Sequence, residues 1–162
     1  MTPPTAGGAL QLAMMLTLVS LAPALVLSCT CFARFVVVFS MLKTGLGAGA
    51  APPTQVLVGL ALFMTGFVMA PVAAKVHSEA LAPYLAGQLS ESAAIEAATP
   101  TLRTFLLQRT RQKDLSLFYE VSDAPRPASE ADVPLQIAVP AFGISELRTA
   151  FEMGFLILLP FL

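Results

Sequence analysis

The sequence predicts an all-α integral membrane protein: hydrophobic helical hairpins with an inserted polar helical region. Three observations carry this. Hydrophobic residues make up 56% of the 162 residues and charged residues only 12%, about half the charged share of an ordinary soluble domain. No Lys, Arg, Asp or Glu occurs from Met1 to Ala33, and none from Thr44 to Ala74. Each run exceeds the ~20 residues that cross a hydrocarbon core as a helix. A third apolar stretch, "GFLILLPFL", occupies residues 154–162. Open strands cannot satisfy their backbone groups in lipid, so the spans are expected to be helical.

The first hairpin is assigned to residues 9–74. Residues 9–33 read as a hydrophobic helix that Pro23 should kink or divide, since proline removes a helix hydrogen bond. After Arg34 the apolar "FVVVFSML" lets that helix run on to about Leu42. The glycines and prolines of "KTGLGAGAAPP" favour a turn. A second helix starts near Pro53 or Thr54, where proline suits the first turn. It is expected to run to about Met69 and to meet Pro71.

Residues 75–135 form a polar, mainly helical region. Of the chain's 19 charged residues, 17 lie between Lys75 and Glu152. Thr99 and Pro100 read as an N-cap and first-turn proline. The helix they open places Leu102, Phe105 and Leu106 on one face, with Arg103 and Arg111 largely off it. Asp114 reads as the cap of "LSLFYEV", and "SDAPRPASEADVP" as a polar loop. About sixty residues hold no large core of their own, so this region is expected to pack on something else. Residues 136–162 begin a second hydrophobic hairpin, incomplete as given, interrupted by Pro140 and Gly143.

Arg34 and Lys43 are basic residues between the first two apolar segments, with no acid among them. By the positive-inside rule the loop at 43–53 is cytoplasmic and residues 75–135 lie outside, in a bacterial periplasm.

Composition and motifs exclude several classes. A net charge of −1 gives no basic surface for nucleic acid. "KTGLGAGA" lacks the order of a phosphate-binding loop. His77 has no evident nucleophile partner, and the scattered acids single out no catalytic pair, so no enzyme is expected. Cys29 and Cys31 lie on opposite sides of a helix and are poorly placed to bridge. With one histidine they do not make a zinc set. No cofactor is expected. "VLSC" resembles a lipoprotein cleavage box, but no positive n-region precedes it. Two alternatives stay open: a lipoprotein cleaved before Cys29, and a small multi-span transporter or channel subunit.

Five residues stand out as assembly candidates. Arg34 would cost at least ~2.5–3.5 kcal/mol at the bilayer centre, so it snorkels, finds a carboxylate or avoids lipid. Gly59 and Gly66, seven apart, share a helix face that allows close packing, within the hairpin or between subunits. Glu146 and Arg148, two apart, cannot pair along one helix. Each needs water or a partner elsewhere, and one on an adjacent subunit is the sharper expectation.

Three segments then carry a resemblance. "VPAFGISELRTAFEMGFLILLPFL", residues 139–162, closely resembles a signature of the FliP/SctR family, core membrane proteins of the flagellar and virulence type III export apparatus. "ARFVVVFSMLKTGLGAGAAPPTQVLVGLALFMTGFVMAPV", residues 33–72, is similar to that family's first hairpin. "LRTFLLQRTRQKDLSLF", residues 102–118, is similar to its periplasmic region. The resemblance implies a structural subunit of the export gate in the bacterial inner membrane. It also implies a homo-oligomeric ring, a pentamer, with FliQ/SctS-type and FliR/SctT-type partners, enclosing a channel for unfolded protein substrates. Bent, closely packed helices would explain the glycines and prolines of residues 51–72. Family members continue past "LPFL" into a methionine-rich loop, so the chain as given reads as stopping early. The absence of a basic signal peptide tilts the reading to the virulence branch.

Overall fold

The computed structural model describes residues 6–47 and 52–161, and these are almost wholly helical with no strand among them. The apolar segments form α1 (Ala6–Ser28), α2 (Phe32–Gly45) and α3 (Thr54–Val76). The polar region contributes α4 (Ala82–Leu85), α5 (Glu91–Arg109) and α6 (Gln112–Ser122), and α7 (Leu135–Leu158) follows. Part of the expected turn at 43–53, residues 48–51, lies outside the described residues.

The first helix divides, but not at Pro23, which sits inside α1. The break falls at Cys29–Cys31. There the Ser28 hydroxyl donates to the Ala24 carbonyl at 2.8 Å and the Thr30 hydroxyl to Leu27 at 2.9 Å. Short hydroxyl side chains compete for backbone acceptors in this way and favour a helix end. α2 is therefore a separate helix, free to pack on α7 and α3.

Pro71 does not end α3 either. The helix continues to Val76 and passes through a π-helical turn, His77–Leu81, into α4. Alanines 70, 73 and 74 around the proline are strong helix formers and keep the element continuous. Thr99-Pro100 is likewise interior, because Ser90 supplies the cap: its hydroxyl accepts the Ala93 N–H at 3.3 Å. Four alanines between Ser90 and Thr99 then carry α5 up to the proline. Asp123, in the left-handed region at φ 51°, closes α6, a conformation that aspartate tolerates better than most residues.

The buried core draws on both the apolar and the polar regions. Phe105 and Leu106 of α5 and Tyr119 of α6 pack with Ile137, Ala138 and Phe142 of α7 and with Cys31. Val68, Met69 and Val72 of α3 close the cluster from the side. Phe105 and Phe142 meet with ring centroids 5.8 Å apart, within the favourable range for tilted aromatic pairs. The polar region thus covers the inner faces of α3 and α7, as its small size demanded. Arg103, expected off the packed face, folds over instead, and its Nε donates to the Val133 carbonyl at 2.8 Å.

Two glycines set the closest approach of α2 and α7. A β-carbon on Gly154 would collide with Met41, and one on Gly45 with Leu158. Gly59 and Gly66 behave differently: a β-carbon at either meets nothing among the described residues. Along α3, Ala61 and Thr65 are buried, whereas Gly59, Phe63, Gly66 and Phe67 are exposed. The glycine face points away from the core that the described residues form.

Candidate functional site: a charge network around α7

α7 displays its polar residues as two stripes. Ser145, Arg148, Thr149 and Glu152 recur at helix spacing and face the start of α6. Glu146 lies about 100° round the helix from Ser145 and meets α2 instead. That offset of one residue sends neighbouring charges to different partners.

Toward α2, Arg34 Nη2 donates to Glu146 Oε1. The Glu146 side chain is 1% exposed and that of Arg34 24%. Arg109 stacks over the Phe105 ring, 4.2 Å from its centroid, and adds a second guanidinium whose charge acts on Glu146. Two buried atoms of this pair, Arg34 Nε and Glu146 Oε2, have no hydrogen-bond partner among the described residues.

Toward α6, Asp114 is the hub, its side chain only 2% exposed. Its Oδ2 accepts the Ser145 hydroxyl at 2.7 Å and its Oδ1 accepts Arg148 Nη2 at 3.0 Å. The Ser145 oxygen in turn accepts the Arg111 backbone N–H at 3.0 Å. Arg111 then grips α7 from the outside, donating to both carboxylate oxygens of Glu152 and, at 3.3 Å, to Thr149 Oγ1. The network sews the α5–α6 junction to the middle of α7. A buried carboxylate with charged and neutral donors is stable where an unpaired one is not.

Arg34 finds a carboxylate. Glu146 and Arg148 do not pair with each other, as their spacing required. The partner of each lies within the same chain, where an adjacent subunit had been the sharper expectation. The reason is geometric: the chain folds α2 and α6 onto different sides of α7. Asp114, expected as a helix cap, is a buried acceptor inside the first turn of α6, which Arg111 precedes. Sequence reasoning missed Ser145, Arg111 and Arg109. The spacing Ser145–Arg148–Thr149–Glu152 was the available signal, a polar stripe in the middle of a largely apolar helix. Among the described residues no three His, Cys, Asp or Glu side chains stand together as a metal set.

The fold and the network define an all-helical protein that buries two acids, Asp114 and Glu146, between its helices while apolar helix surface faces out. Two stretches, Leu10–Ser28 and Thr54–Leu85, are long and apolar enough to cross a membrane, with 0% and 11% buried in the fold. The sequence pattern of the FliP family matches residues 15–162. The chain is 43% identical over 160 residues to the flagellar biosynthetic protein FliP of Bacillus subtilis, covering 99% of this chain and 72% of that one. It is also 43% identical to proteins of that name from Pectobacterium carotovorum and Caulobacter vibrioides, covering 94% of this chain and 59% and 57% of theirs. The chain belongs to the FliP family.

Proposed function

We propose that the chain is a structural subunit of the export gate in a bacterial type III apparatus, of the flagellar kind. Membership of the FliP family carries this reading, and the flagellar naming of the relatives favours that branch over the virulence one. The subunit is placed in the inner membrane, with residues 75–135 periplasmic and residues 43–53 cytoplasmic. It acts without a cofactor or catalytic group, by forming part of the channel wall for unfolded protein. Its partners are copies of itself, in a pentamer, and FliQ-type and FliR-type membrane subunits.

The uncovered apolar surface of α1 and α3 supports membrane and subunit contact, since large contiguous exposed apolar patches mark such interfaces. Gly59 and Gly66, exposed on one face of α3 with open space before them, are the proposed points of close subunit approach. The inward-turned network supports the same reading, because it keeps Arg34, Asp114 and Glu146 away from lipid. Deleting the coding gene in its host tests the function. Flagellin export into the medium is expected to cease and to return on complementation. Undiminished export without the gene would overturn the proposal.

A further inference from the structure

We infer that the cavity between α3 and α5 is a headgroup site for an anionic phospholipid, whose phosphate Lys75 and Arg109 hold. The cavity has a volume of about 280 Å³. Val68, Pro71 and Val72 of α3 and Phe105 of α5 make its apolar wall, and its two charged lining residues are both cations. The Arg109 guanidinium lies 4.2 Å over the Phe105 ring and forms no ion pair among the described residues. Its charge acts on Glu146, but Arg34 already holds that carboxylate. A guanidinium beside an apolar span is costly without an anion, and a phosphate suits its planar fork. Lys75 meets Glu79 only loosely, at 3.8 Å, and its side chain is 60% exposed, so its ammonium keeps donors to spare. The Thr101 and Thr104 hydroxyls donate to Glu79 and to the Pro100 carbonyl. The donors facing a ligand are therefore those of Lys75 and Arg109, with the amide of Gln108 beside them.

Depth selects a lipid as the anion. The 23 residues of α3 rise about 34 Å, enough to cross a hydrocarbon core of roughly 30 Å. On the orientation proposed above, Lys75 stands at the outer end of that span, and Val68 lies about 10 Å below it. Thr101 bonds Glu79, past the end of α3, so α5 returns alongside that helix and carries Arg109 down to the apolar wall. Cations above an apolar wall match a phosphate above its acyl chains. A second copy of the chain is a poorer source of the anion. No Asp or Glu precedes Glu79, so its helices α1, α2 and α3 bring no carboxylate to this depth. Its α7 acids, Glu146 and Glu152, are already paired. A zwitterionic headgroup would set its own ammonium against two cations, which leaves a lipid of net negative charge.

This inference rests on the membrane reading above. Native mass spectrometry of the full-length protein in mild detergent, titrated with phosphatidylglycerol or phosphatidylethanolamine of the same acyl chains, tests it. Phosphatidylglycerol is expected to bind about five-fold tighter or more. Lys75→Gln, at an exposed position that the fold does not depend on, should weaken that binding about five-fold. Arg109→Gln should weaken it about ten-fold or more. Arg126→Gln, a cation 61% exposed and away from the cavity, should leave it within about two-fold. Equal affinity for the two lipids overturns the inference, as does phosphatidylglycerol binding that Lys75→Gln or Arg109→Gln leaves within two-fold. Displacement of the lipid by an equal concentration of inorganic phosphate overturns it too, by marking a site for free anions. So does loss of the oligomer in Lys75→Gln, which marks a contact between copies. An alkaline carbonate wash of native membranes separates the two claims. Release of the protein overturns both, whereas retention without lipid preference overturns only the headgroup site.

Discussion

Consider Glu146→Ala. The native carboxylate is 1% exposed and its partner Arg34 is 24% exposed, so the pair belongs with buried ion pairs. Truncating Glu146 leaves the Arg34 guanidinium without its carboxylate and opens a void against α2. Breaking a buried pair on one side costs about 3–5 kcal/mol. At about 2–4 °C per kcal/mol for a chain of this size, the midpoint of thermal unfolding should fall by roughly 6–20 °C. The double variant Arg34→Met with Glu146→Met removes both charges and keeps most of the volume. Buried pairs replaced in this way often lose little or gain stability, so the double variant should recover most of the loss. The assay is thermal unfolding in mild detergent of wild type, both single variants and the double variant, analysed as a mutant cycle. A pair facing solvent would be worth only about 0–1 kcal/mol. If both single variants unfold within that range of wild type, the pair is solvated and the reasoning from burial fails.

Asp114→Ala strips Ser145 and Arg148 of their acceptor. With hydrogen bonds to a charged group worth about 1.5–3 kcal/mol, it should destabilise measurably in the same assay, whereas the exposed Glu130→Ala should not. Gly154→Val should cost about 1–3 kcal/mol through collision with Met41, read as a lowered unfolding midpoint. Gly66→Leu, with open space before it, should leave that midpoint unchanged and act on assembly. Cysteines at Ala128 and Ala48, in a background free of Cys29 and Cys31, should react with an impermeant reagent in intact cells at Ala128 only. Labelling at Ala48 alone would invert the orientation.

The helical class and the apolar segments were legible because charge-free runs of that length have few other uses. Helix ends were less so. Four interior prolines, Pro23, Pro71, Pro100 and Pro140, looked like boundaries or interruptions, yet the helices run through them, and α7 runs through Gly143 as well. Local proline chemistry loses there to flanking alanines and to caps such as Ser90. The site was half legible. The two-residue offset of Glu146 and Arg148 required separate partners. Which partners was not, since Arg34 and Asp114 lie 112 and 34 residues away. Only the fold decides that α2 and α6 flank α7. Asp114 was misread because an aspartate near a helix start has two uses. It caps when exposed, and here burial makes it an acceptor for α7. The Gly59–Gly66 face was visible as spacing, but the fold adds that the chain's own core does not use it.

The chain pairs its buried acids, Asp114 and Glu146, within its own helical fold, and the glycine face of α3 is proposed to meet neighbouring copies. Native mass spectrometry of the full-length protein, extracted from membranes in mild detergent, tests it most directly. Wild type is expected as a pentamer, and Gly66→Leu as smaller species with the unfolding midpoint unchanged. A wild-type protein recovered only as monomer, or a Gly66→Leu variant with the wild-type distribution, would contradict it.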